Sequence, residues 1–114
     1  MTRTRLATTV VLAAALAAGP ALAAPSIVTL LGSVGPGFEI SLKNTKNLKP
    51  GKYKLSVNDK ATGHNFHLKG PGVNVSTSVG GTGTRTFTVT LKRGTYTFVC
   101  DPHASSMKGS FRIR

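Results

Sequence analysis

Cys100, His103 and Met107 lie within residues 96–107, Y-T-F-V-C-D-P-H-A-S-S-M, and are the side chains best suited to chemistry in this chain. Cys100 is the only cysteine, and Met107 is the only methionine apart from Met1. A thiolate, an imidazole and a thioether in such proximity form a set of soft metal donors. A second imidazole would complete a trigonal copper site with a weak axial sulfur, and His64 is the obvious donor. Copper(II) prefers nitrogen and copper(I) prefers sulfur. A rigid mixed site suits both states, so little has to move when an electron arrives.

The local pattern predicts how these donors are held. Tyr96, Phe98 and Cys100 alternate with Thr95, Thr97 and Val99, as on a half-buried strand. Asp101-Pro102 ends that strand, because proline has no N–H to give the ladder. His103 and Met107 then fall on a loop able to fold back over Cys100. A lone cysteine is more commonly just buried, but these neighbours reverse that preference. His67 lies three residues after His64, so on a regular strand the two face opposite sides. That favours His67 as a surface or partly buried residue, with a local bulge as the arrangement that would exchange their roles.

The rest of the chain reads as short strands between glycine and proline turns. Expected strands cover residues 26–31, 38–43 (Phe38, Ile40 and Leu42 inward), 52–57, 64–68, 84–91, 95–100 and 108–114. Residues 69–83 are rich in Gly, Pro, Ser, Thr and Asn and are the least determined. About seven strands at this spacing predict an all-β, Greek-key antiparallel sandwich or barrel. Residues 48–53, L-K-P-G-K-Y, echo residues 91–96, L-K-R-G-T-Y, at an offset of 43. The echo reads as two similar turn-into-strand corners, each closed by a tyrosine.

Residues 1–23 read as a secretory signal. Arg3 and Arg5 precede an uncharged apolar run over residues 6–18, and Ala21-Leu22-Ala23 is an A-x-A cleavage pattern with the cut after Ala23. The run is shorter than the roughly 18 residues wanted to span a bilayer. Residues 24–114 then form one small domain. Its expected place is periplasmic or secreted, with no membrane span after cleavage. An exported thiol with no partner in its own chain itself calls for a metal, a partner chain or burial.

The full chain carries +12. Without Arg3 and Arg5, thirteen basic side chains face three acidic ones, near +10. Such charge favours acidic partners or an anionic envelope surface. Nucleic acid is disfavoured, because the lysines from Lys43 to Lys60 have almost no aromatics among them for base stacking.

The run G-T-Y-T-F-V-C-D-P-H-A-S-S-M-K-G-S-F resembles the copper-binding end of cupredoxins of the plastocyanin/azurin type, and G-H-N-F resembles the region supplying their first histidine. The gap between His103 and Met107 resembles azurin's, one residue shorter than plastocyanin's. The resemblance implies a cupredoxin-like sandwich with one type 1 copper. It places His64, Cys100 and His103 around the ion in a plane and Met107 axially. It also implies that Asn65 ties the two ligand loops together through Asp101.

The function so implied is exported one-electron transfer by a monomer that is not an enzyme, because four protein ligands leave no open position for substrate. The alternative is a periplasmic copper carrier or buffer. One methionine and three histidines favour the fixed site. Electrons would leave through His103 to an acidic redox partner, a cytochrome or copper enzyme, with lysines such as Lys52 and Lys54 steering the encounter.

Overall fold

The computed structural model describes residues 7, 9–14, 19 and 26–114. The expected export signal over residues 1–23, with its cut after Ala23, lies outside the described residues but for those few positions. No helix among the described residues is long and apolar enough to cross a membrane.

Among the described residues, eight strands form two four-stranded sheets. They are β1 (Thr29–Val34), β2 (Ile40–Lys43), β3 (Gly51–Asp59), β4 (His67–Gly70), β5 (Val73–Ser76), β6 (Gly83–Leu91), β7 (Gly94–Val99) and β8 (Lys108–Ile113). One sheet has the order β2-β1-β3-β6 and the other β5-β4-β7-β8. The eighth strand is β5, inside the stretch that the sequence left undetermined. It follows a turn at Gly72, whose φ of 69° suits glycine.

All pairings are antiparallel except β1 with β3, which run parallel from Thr29↔Lys54 to Val34↔Asp59. The cause is topological. β2 takes the outer edge beside β1, so the chain must cross the end of the sheet through residues 44–50 and return on the other side of β1. β1 also starts later than expected and runs on through Gly32, where a Cβ would sit 3.0 Å from the Phe66 ring. A Cβ there would press on the ring and make it shift by a few tenths of an ångström.

Alternation along the strands builds the core. Leu30, Val34, Leu55, Val57, Leu68, Leu91, Tyr96, Cys100 and Ile113 are all buried between the sheets. The rings of Phe66 and Phe98 stack at 5.6 Å, and those of Tyr96 and Phe111 at 5.5 Å. Burying each such side chain contributes roughly 2–3 kcal/mol.

The two echoed corners are real. The Tyr53 hydroxyl accepts from Lys49 N–H at 3.2 Å and donates to Lys49 C=O at 2.6 Å. The Tyr96 hydroxyl accepts from Lys92 N–H at 2.9 Å and donates to Pro71 C=O at 2.7 Å. Each tyrosine therefore fastens the turn that feeds its own strand, one corner in each sheet. The second corner sets the start of β7, and β7 carries Cys100 to the other end of the sandwich.

Candidate metal centre

Three loops meet at that far end: residues 35–39 after β1, residues 60–66 after β3 and residues 100–107 after β7. The last is closed on itself by backbone bonds. Cys100 N–H donates to Met107 C=O at 3.0 Å, His103 N–H to Cys100 C=O at 3.0 Å and Met107 N–H to His103 C=O at 2.8 Å. Pro102 lies at the start of a 3-10 turn, Asp101–His103, where its missing N–H costs nothing. The sequence Cys-Asp-Pro-His thus folds the loop back over the end of its own strand. Cys100 and Met107 are buried, and His103 is half-buried.

His64 is buried too, but not on a strand as the sequence suggested. β4 begins only at His67. The backbone before it is engaged elsewhere: Asn65 N–H points at Cys100 Sγ, 3.4 Å away, and Phe66 N–H donates to Thr77 Oγ1 at 2.8 Å. With these groups aimed at side chains, no ladder can form, and the irregular segment turns His64 inward.

The donor atoms converge. Nδ1 of His64 lies 3.2 Å from Nδ1 of His103, and Cys100 Sγ lies 3.7 Å and 3.6 Å from these two nitrogens. A His–His hydrogen bond would account for one of these approaches but not for all three. A triangle with these edges has its centre roughly 2 Å from each corner, close to metal bonds to imidazole and slightly short for thiolate. The three residues are the one such donor cluster found among the described residues. One thiolate, two imidazoles and the buried thioether of the same loop fit a type 1 copper ion.

The surroundings lock this arrangement. Asn65 Nδ2 donates to Asp101 Oδ2 at 2.8 Å, and Asp101 N–H donates to Asn65 Oδ1 at 2.7 Å. The bond from Asn65 holds the Asp101 carboxyl below its ordinary value of 3.8; partial desolvation opposes this, and His67 and Lys69 assist it. His67 stands outside the donor cluster. Its Nδ1 approaches both oxygens of Asp101, at 2.9 and 3.0 Å, and its Nε2 meets Asn74 Oδ1.

Phe38 departs from the sequence reading. Its alternation with Ile40 and Leu42 predicted an inward ring, yet it precedes β2 and is 73% exposed. The ring stands edge-on to His103 at 4.9 Å and to His64 at 5.6 Å. Its place just after Gly35-Pro36-Gly37, at the end of β1, was the signal that it belonged to the loops and not to a strand.

Lys52 and Lys54 also lie elsewhere than the encounter argument needs. They occupy the start of β3, whereas the loop bearing His64 follows its end at Asp59. At the metal end the exposed lysines include Lys60, Lys69 and Lys108.

Residues 38–114 match the family described as copper binding proteins of the plastocyanin/azurin family. Rusticyanin from Thiobacillus ferrooxidans is similar in structure, with a TM-score of 0.57 and 22% identity over 80% of this chain and 79% of its own. Auracyanin from the photosynthetic bacterium Roseiflexus castenholzii gives a TM-score of 0.54 and 17% identity over 79% of this chain and 99% of its own. These two likenesses are of fold. No curated protein matches the chain.

Proposed function

From the premise that the chain belongs to the plastocyanin/azurin family of copper-binding proteins, we propose that it is an exported, monomeric carrier of single electrons whose copper is held by His64, Cys100, His103 and Met107. The observation that carries this reading is the mutual approach of three donor atoms from two loops, with Met107 buried on the loop that bears two of them. Bound copper would supply a one-electron couple. The protein's part is to keep its donors still.

Several groups perform that part. The Asn65 N–H aimed at Cys100 Sγ stabilises a thiolate and fixes its direction. The paired bonds between Asn65 and Asp101 tie the His64 loop to the Cys100 loop. The bond from Met107 N–H to His103 C=O keeps the short loop closed. Phe38 sets its ring edge-on against the His64 and His103 rings. His103 is the least buried of the four and offers the shortest way out for an electron.

A carrier is favoured over an enzyme because four side chains would hold the ion and leave no position for substrate. A redox partner with an acidic face, a cytochrome or a copper enzyme, would approach over His103. Lys60, Lys69 and Lys108 would then be exposed lysines on that end.

The test is repeated reduction and reoxidation of the copper-loaded protein in the presence of a copper(I) chelator. A shuttle returns to its starting copper content after many cycles. A copper carrier or buffer would lose the metal to the chelator on the first reduction.

A further inference from the structure

The charge of this chain is sorted by end. In one sheet Gly51 pairs with Leu91 and Asp59 with Gly83; in the other Gly94 pairs with Ile113 and Val99 with Lys108. Asp59 and Val99 mark the metal end. The opposite end carries the loop before β3, the β6–β7 turn and the end of β8. The two sheets meet there, because residues 45–48 line one cavity with Arg112 and Arg114. The length of β3 puts the ends roughly 25 Å apart, at about 3.3 Å per residue.

Exposed cations crowd the end away from the metal: Lys46 and Lys49 on the loop, Lys92 and Arg93 in the turn, Arg112 and Arg114 after β8. No acidic side chain shares it. The chain has three carboxylate side chains, and Glu39, Asp59 and Asp101 all stand at the metal end. Among the described residues the one ion pair is His67–Asp101, so these six cations are not neutralised within the fold.

The chain also enters the domain at this basic end. Lys54 N–H donates to Val28 C=O at 3.1 Å, just before β1, and Ile27 and Val28 are 45% and 48% exposed.

We propose that the basic end is a docking face for an anionic lipid bilayer, holding the domain with its metal end turned away from the membrane. Lysine and arginine near an anionic leaflet each add about 1 kcal/mol of attraction, falling off within a Debye length. Exposed Ile27 and Val28 beside the cations favour a lipid surface over an acidic protein or a nucleic acid. The geometry also suits electron exchange, since His103 would face open solvent. This docking does not depend on copper, so it can stand or fall apart from the electron-carrier reading.

The test is co-sedimentation of the mature domain, residues 24–114, with phosphatidylcholine vesicles, with or without phosphatidylglycerol, at low and physiological salt. Tighter binding to the anionic vesicles, weakened by salt, is expected. The double variant Lys92→Glu/Arg93→Glu should lose that preference by roughly tenfold or more. Lys60→Glu/Lys108→Glu, at the metal end, should change it less than twofold. The ultraviolet circular dichroism of each variant checks that it is folded. Equal binding to neutral and anionic vesicles, equal losses in the two variants, or capture by polyglutamate or DNA in place of vesicles would overturn the proposal.

Discussion

Asn65 and Asp101 hold each other by two hydrogen bonds, 36 residues apart in sequence: amide to carboxylate at 2.8 Å and backbone N–H to amide oxygen at 2.7 Å. One stands next to His64 and the other next to Cys100. The pair therefore sets the distance between two donors that no strand pairing could set, since both lie outside the ladders.

Asn65→Ala removes both bonds and leaves the part-buried Asp101 N–H without its side-chain partner. The apoprotein should lose about 1–3 kcal/mol of stability, measured by denaturant unfolding. Copper affinity, measured by chelator competition, should fall roughly 10–100-fold. Unchanged affinity would show that the loops are held by something else.

Met107→Leu keeps a buried apolar side chain of similar size and should cost less than about 1.5 kcal/mol. Copper should stay bound while the reduction potential shifts, as read by redox titration. Complete loss of copper would make Met107 an anchor of the site and not a tuning ligand.

His64→Ala should abolish the visible copper spectrum, and His67→Ala should leave it nearly intact. His64 Nδ1 stands among the donors, while His67 is committed to Asp101 and Asn74. The reverse result would assign the ligand role to His67.

Acid should loosen the apoprotein from the Asp101 side. Its carboxyl is held below 3.8, chiefly by Asn65, so the folded state stays ionised where the unfolded state takes up a proton. This contribution is fully present above about pH 4 and is lost as pH falls from 3.8 through the lowered folded value. Denaturant midpoints measured across that range should decline, and the Asn65→Ala variant should show a smaller decline.

Much of this was readable in the residues. Strict alternation gave β6, β7 and β8 and their inward side chains, because a half-buried sheet enforces a period of two. The Cys100 loop was legible because a proline stop and three of the donors, Cys100, His103 and Met107, are all local. The tyrosine corners were visible as a repeat. His64 and Phe38 were misplaced for one shared reason: each sits where loop contacts override alternation. The Asn65 and Phe66 N–H groups turn to a sulfur and a hydroxyl, partners far away in the chain. The parallel β1–β3 pair and the separation of charge between the two ends depend on how the strands are ordered, which no local pattern encodes.

The most direct measurement is the visible spectrum of residues 24–114 on adding copper(II), for the wild-type sequence and for Cys100→Ser. An intense blue or green colour at one copper per chain, absent from a Cys100→Ser protein that remains folded, is the predicted result. A wild-type protein that binds copper(II) and stays colourless would contradict the central claim, because the Cys100 thiolate would then not be a ligand.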